Sequence, residues 1–251
     1  MRDDLGHPYD GERPCRIVSL VPSTTETVAL IAPELLVGVT DYCSHPADLS
    51  AERVGGSKYP RVADVVALAP DLVLANAEEN RREDVEALRA AGVDVWVSFP
   101  RTVIEACASA ASMTAALRLP RPEWVDEAAA LWAEPVPRWA NAVVPIWRRP
   151  WMVLGSATFS GDVLRRLGVD NVYAGSTEPY PKVPITELND ARPDLVVLPD
   201  EPYEFTSEDG PEAFPGIPCA LVSGRHLTWH GPSLVEAHGV LRRQLAEAKR
   251  A

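Results

Sequence analysis

Short β-branched runs alternate with amphipathic, alanine-rich stretches along most of this chain. Arg16-Ile-Val-Ser-Leu-Val21 has the length and apolarity of a buried strand. Pro22 ends it, and Ser23-Thr-Thr-Glu26 has the spacing of a capping box, with Ser23 as the cap and Glu26 reaching back. A short helix to about Ile31 and a strand at Leu36–Val39 follow, so the chain opens as strand, helix, strand. Thr102–Leu117 reads as a helix. Pro122 opens a second helical run over Glu123–Glu134, which Pro135 and Pro137 interrupt.

The second half repeats the first. Tyr59-Pro-Arg-Val62 leads to Ala69-Pro-Asp-Leu-Val-Leu74, and Tyr180-Pro-Lys-Val183 leads to Arg192-Pro-Asp-Leu-Val-Val197. Tyr59 to Tyr180 spans 121 positions and Asp71 to Asp194 spans 123, so one copy carries a two-residue insertion. Each passage precedes another strand, at Gly92–Val97 and Gly216–Val222. Met152-Val-Leu154, a Gly/Ser/Thr-rich turn to Gly161 and a helix over Asp162–Leu167 echo the start. One Pro-Asp-Leu-Val match is a common helix-to-strand junction, but three matches in the same order signal duplicated lobes. Alternating strands and helices predict mostly parallel sheets flanked by helices. The expected fold is therefore α/β, with two similar lobes, a connecting helix and a ligand cleft between the lobes. The expected boundaries are a polar tail over 1–14, an N-terminal lobe over 15–120, a connecting helix over 121–142 and a C-terminal lobe over 143–251.

Composition narrows the function. Net charge is −12 with 36 acidic against 24 basic residues, which excludes the clustered cations that nucleic acid requires. Cys15, Cys43, Cys107 and Cys219 form no CxxC pair and no zinc-ligand spacing, so neither a metal site nor an intrinsic cofactor is expected. No apolar run is long enough for a membrane span, so no membrane insertion is expected. Met1–Pro14 is acidic and lacks the apolar core of a secretion signal, which makes the cytoplasm the expected compartment. The Gly155–Gly161 turn is not a nucleophile elbow, and no phosphate-binding loop or dinucleotide fingerprint occurs. The reading is a monomeric binder and not an enzyme.

Arg16-Ile-Val-Ser-Leu-Val-Pro-Ser-Thr-Thr-Glu26, Val37-Gly-Val-Thr-Asp-Tyr-Cys43, Val54-Gly-Gly56 and Leu68-Ala-Pro-Asp-Leu-Val-Leu-Ala75 together resemble the cobalamin- and iron-siderophore-type periplasmic binding proteins, also called helical-backbone metal receptors. The resemblance runs from about Cys15 to the C-terminus. It implies two α/β lobes joined by a helix, and a metal chelate (cobalamin, haem or a ferric siderophore) as ligand. It also implies an ABC permease as partner, docked by a surface glutamate on each lobe, and members usually periplasmic or extracellular. An ungapped reading puts the N-lobe docking position at Arg82, with Glu79 and Glu83 beside it; Glu201 and Glu204 are the C-lobe candidates.

Several residues fit a ligand site, each with a plainer alternative. Tyr42 stands where the family sets an aromatic against its ligand, or is a core-edge tyrosine. Trp229 resembles a second such aromatic, while Phe99, Trp147 and Trp151 line the cleft or plug a lobe. Ser23 and Thr24, with Thr25, offer hydroxyls and N–H groups at a helix start, or simply cap it. His226 and His230 fall in a Gly/Pro-rich stretch that reads as a loop. There His230 is either a hydrogen-bonded structural residue or an axial ligand to haem or cobalt; His45 is a weaker candidate. Arg61 with Lys182, and Arg101 with Arg225, sit at equivalent places in the repeat and suit an anionic chelate. Two other functions compete: a cytosolic corrinoid or chelate carrier or sensor, and a metal-dependent enzyme using the same cleft.

Overall fold

Two separate parallel sheets organise the chain, in a computed structural model that describes residues 1–248. In order, the first half holds β1 (Ile17–Ser19), α1 (Pro22–Ile31), β2 (Leu36–Val39), β3 (Glu52–Arg53), α2 (Val62–Ala67), β4 (Leu72–Asn76), α3 (Arg82–Ala90) and β5 (Asp94–Ser98). Next come α4 (Val103–Ala116) and α5 (Glu123–Leu131). The second half holds β6 (Ala140–Val143), β7 (Pro145–Trp147), β8 (Met152–Val153), α6 (Phe159–Arg166), β9 (Val169–Asn171), α7 (Ile185–Asp190), β10 (Leu195–Pro199), β11 (Cys219–Val222), α8 (Gly224–Thr228) and α9 (Leu234–Ala248).

The strand orders are β3-β2-β1-β4-β5 and β11-β10-β6-β9, every pairing within them parallel. Reversed, the second order reads β9-β6-β10-β11, which is the β2-β1-β4-β5 arrangement of the first. The expected α/β duplication is therefore present over four strands, and β3 alone has no counterpart in the second sheet.

Its most telling detail lies in the Pro-Asp-Leu-Val repeat. Ala69 and Arg192, the residues before the two prolines, both take positive φ, at 45° and 46°. Asp71 then accepts the N–H groups of Cys15 (2.7 Å) and Arg16 (2.9 Å) and donates its own N–H to the Arg16 carbonyl (2.9 Å). Asp194 accepts the Asn141 N–H (2.9 Å) and donates its own to the Asn141 carbonyl (2.9 Å). Each aspartate thus pins the entry of its sheet's first strand, satisfying donors that no neighbouring strand reaches.

The chain divides into two compact units. Unit 1 comprises Met1–Pro100, Glu105–Glu127 and His230–Pro232; unit 2 comprises Arg101–Ile104, Ala128–Trp229 and the chain from Ser233 onward. In unit 1 the period of two sends Ile17, Leu72, Leu74 and Trp96 to one face, with Val28, Met113 and Leu117. Val18, Val73, Val95 and Val97 go to the other, with Val65, Val85 and Leu88. In unit 2, Val143, Val196 and Leu198 pack with Leu188, Phe205 and Phe214.

Five expectations need correction. Met152-Val153 is not the counterpart of β1: it pairs antiparallel with β7, and β6, an internal strand, holds that place. Ser23 does not cap α1, because Pro22 occupies the first turn and Val21 is the cap residue, without a side-chain bond. The helix expected over 121–142 stops at Leu131, ahead of Pro135 and Pro137, and runs from unit 1 into unit 2. The stretch containing His226 is not all loop, since α8 forms there. Finally, Met1–Pro14 is no tail. Buried Asp3 accepts the N–H of Val97 (3.1 Å), Asp4 accepts those of Phe99 (2.7 Å) and the Ser109 hydroxyl (2.6 Å), and Tyr9 packs edge-on against Trp96. Its acidity serves the backbone of β5, and is not merely solvated.

Candidate ligand-binding site

In a parallel sheet all strands run the same way, so the loops leaving their carboxyl ends gather on one side. In unit 1 these loops bring Ser23 (after β1), Tyr42 (after β2), Gly56 and Tyr59 (after β3), Asn76 to Arg81 (ending β4) and Phe99 (after β5) to the same edge. Asn80 organises them: its carbonyl oxygen accepts the Asn76 N–H (2.8 Å), and its amide donates to the carbonyls of Ser57 (2.8 Å) and Leu20 (3.3 Å). One buried side chain therefore fixes three loops.

The floor of this edge is polar and buried. Asn76 is buried and donates to the Ser98 hydroxyl (3.3 Å), while its carbonyl oxygen accepts the Glu78 N–H (2.7 Å). His230 lies against it, with Nε2 3.2 Å from the Asn76 amide nitrogen and Nδ1 3.2 Å from the Ser23 hydroxyl. Glu79 Oε1 stands 3.9 Å from Nε2. Burial, against a backbone hydrogen bond at His230 and the charge of Asp4, pushes the His230 pKa down to about 4, so the ring is neutral at pH 7. Because each ring nitrogen already has a protein group at hydrogen-bond distance, His230 is engaged inside the protein and does not fit the axial-ligand reading. Thr24 is likewise spent internally, donating to the Val21 carbonyl (3.0 Å) next to Ser19 (3.0 Å).

Above the floor, two tyrosines are laid open. Tyr42 is 66% exposed and Tyr59 is 70% exposed. Gly56 adjoins the Tyr42 ring, where an added Cβ would stand 3.2 Å from it. The Arg81 guanidinium lies 4.8 Å from the centre of the Tyr59 ring, and Asp84 holds it with two 2.8 Å bonds. Tyr59 is thus supported by a cation while most of its surface stays exposed. Phe99 is half-buried, its N–H tied to Asp4. His45 is half-buried next to Ser44, and Arg61 is exposed and paired with Asp64.

The strand-end loops of unit 2 carry a connected aromatic group. Trp147, 43% exposed, meets Tyr203 edge-on at 5.6 Å; Tyr203 packs on Phe205 at 4.7 Å, and Trp151 stacks on Phe205 at 6.0 Å. Arg148 lies over Trp151 and is held by Asp209 and Glu212. Trp229, by contrast, is buried beneath Arg225, 5.4 Å from its ring centre, and its indole hydrogen-bonds Glu201. That makes it part of the packing of unit 2. His226 bonds Ser223 (2.8 Å), so the two histidines do not converge. Lys182 is exposed, beside β8.

The four glutamates fall into two kinds. Glu83 and Glu204 are exposed, Glu83 lying 3.4 Å from Arg81. Glu79 turns toward His230. Glu201 turns inward too, where burial and then Asp200 raise its pKa against the hydrogen bonds of Trp229 and Thr228. Sequence reasoning missed Tyr59, Asn76, Asn80, Arg81 and Tyr203 as site residues. The Tyr-Pro repeat marked Tyr59, and the strand ends marked the rest only by position. Among the described residues, no group of three or more His, Cys, Asp or Glu is placed to hold a metal ion, and no helix is long and apolar enough to cross a membrane.

Residues 17–213 match the family model for periplasmic binding protein. The vitamin B12-binding protein of Yersinia pestis is 28% identical over 194 residues, covering 73% of this chain and 69% of its own. The periplasmic vitamin B12-binding protein BtuF of Vibrio cholerae superposes with a TM-score of 0.74 at 20% identity, over 96% of this chain and all of that one. The periplasmic heme-binding protein RhuT of Roseiflexus superposes at 0.77 and 19% identity, over 95% of this chain and 99% of that one. The match to the family model spans most of the chain, and it agrees with the duplicated sheets described above: the chain belongs to the periplasmic binding protein family.

Proposed function

We propose that this protein binds a metal chelate, a corrinoid, haem or ferric siderophore, on its strand-end loops. The observation that carries the reading is the pair of exposed tyrosines, Tyr42 and Tyr59, set over a buried polar floor in unit 1. A flat macrocycle gains from rigid aromatic faces, at about 0.5–1.5 kcal/mol per ring beyond the area it buries. Trp147 and Tyr203 supply a second aromatic surface on strand-end loops of unit 2. The names of the relatives, vitamin B12-binding and heme-binding, support the same ligand class. Hand-over to an ABC permease completes the proposal, with Glu83 and Glu204 as docking residues because these two are exposed. Ligand capture needs no bond-breaking step, and the family is one of binding proteins.

The test is a titration of the purified protein with cyanocobalamin, hemin and a ferric catecholate siderophore, following the emission of its seven tryptophans. Saturable quenching by one of the three at a stoichiometric equivalent is expected. Absence of saturable binding for all three refutes the reading.

A further inference from the structure

His230–Pro232 packs as part of unit 1, whereas Trp229 before it and Ser233 after it belong to unit 2. The seat for this short segment is closely fitted. A Cβ on Gly231 would stand 2.7 Å from the Ser23 carbonyl oxygen and 3.2 Å from the Ser23 Cβ, so only glycine permits the approach to α1. Beside it the imidazole reaches the Ser23 hydroxyl and the Asn76 amide, both on residues at most 3% exposed. Ser23 opens α1 and Asn76 ends β4, so the ring bridges two of the loops that form the binding edge.

We propose that His230 is a positioning residue of the binding edge: its neutral ring fills a polar seat made by Ser23, Asn76 and Glu79, and a proton on the ring unseats the 230–232 segment and weakens ligand binding. The last clause rests on the ligand-binding reading above; the seat itself does not.

The charged groups facing the ring are Glu79, 3.9 Å away on the loop after β4, and Asp4 from the N-terminal stretch. Both favour a charged ring, while Ser23 and Asn76 are neutral. Burial prevails and holds the ring's pKa at about 4. A folded pKa below the free histidine value of about 6.5 means that the seat is fully stable above that pH and loses stability as pH falls toward 4. In that window up to one extra proton binds on opening, so the opening equilibrium grows by at most about tenfold per pH unit, to roughly 160-fold at pH 4.

The experiment uses the full chain, wild type and His230→Gln, between pH 7.5 and 4.5. Imidazole ¹⁵N NMR reads the ring directly, hydrogen exchange over 229–233 reads the opening, and cyanocobalamin titration reads the binding edge. The expected result is a neutral ring down to pH 5, an opening constant that rises roughly 70-fold between pH 7.5 and 4.5 in the wild type but stays flat in His230→Gln, and affinity falling in the same window. A ring that titrates near 6.5, or identical pH dependence in both proteins, overturns the seat. Seat opening together with pH-independent cyanocobalamin affinity overturns the positioning role. Proton-linked opening with no ligand bound at pH 7.5 supports the seat and counts against the ligand reading instead.

Discussion

Replacing Asp71 by alanine tests whether each repeated aspartate pins the first strand of its own sheet as the geometry indicates. Asp71 accepts two backbone N–H groups, from Cys15 at 2.7 Å and Arg16 at 2.9 Å; Asp194 accepts one backbone N–H at 2.9 Å, plus a long contact with the Asn141 amide at 3.4 Å. A hydrogen bond to a charged group contributes about 1.5–3 kcal/mol, but both aspartates are exposed, so water replaces much of what is lost. The expected cost is about 2 kcal/mol for Asp71→Ala and about 1 kcal/mol for Asp194→Ala, with Asp71→Asn in between because its amide oxygen still accepts. Urea denaturation followed by circular dichroism measures this, provided the slope is unchanged so that midpoints report stability. If Asp194→Ala costs as much as Asp71→Ala, or if Asp71→Ala lies within about 0.5 kcal/mol of the wild type, the strand-entry argument is wrong.

Other consequences are equally direct. Tyr59→Ala and Tyr42→Ala should each weaken chelate binding by about 2–10-fold without changing the urea midpoint, measured by tryptophan quenching. Arg81→Met should give a smaller loss in the same assay, since it only supports Tyr59. Burial raises the pKa of Asp162, but the Val103 N–H, Arg166 and Arg165 more than offset this and leave it below the usual carboxylate value. A depressed carboxylate stabilises the fold above its unfolded pKa and loses that contribution as pH falls through its folded one. Asp162→Asn should therefore lower the melting temperature at pH 7 and narrow the gap from wild type below about pH 4. Burial, and then Glu212, push the Cys219 thiol up to about 11, and Cys43 and Cys107 are buried. Iodoacetamide at pH 7.5 should therefore label exposed Cys15 first, as mass spectrometry of timed samples will show.

The duplication was legible because its signals are periodic and local: Pro-Asp-Leu-Val recurs at Pro70–Val73 and Pro193–Val196, each behind a residue that the structure places at positive φ. What escaped was governed by contacts distant in sequence. β6, whose Ala-Asn-Ala-Val lacks a β-branched run, is an internal strand and the counterpart of β1, while the more strand-like Met152-Val153 forms a small hairpin with β7. Ser23 looked like a cap but is covered by Gly231 and His230 from 207 positions away. Asp3 and Asp4 read as part of a polar tail, yet they accept the N–H groups of Val97 and Phe99 more than 90 positions on. Of the expected site, Tyr42, Ser23 and His230 do share the strand-end edge of unit 1, whereas Trp229 and Glu201 turned inward within unit 2. Exposure is decided by packing, which a strand-end position alone does not reveal.

The most direct measurement is a hydrogen-exchange footprint of whichever chelate binds, recorded with and without saturating ligand. The account predicts protection concentrated on the loops bearing Tyr42, Gly56–Tyr59 and Asn76–Arg81, with a second region around Trp147 and Tyr203. Protection confined to the opposite, amino-terminal ends of the strands, with these loops unchanged, would contradict it.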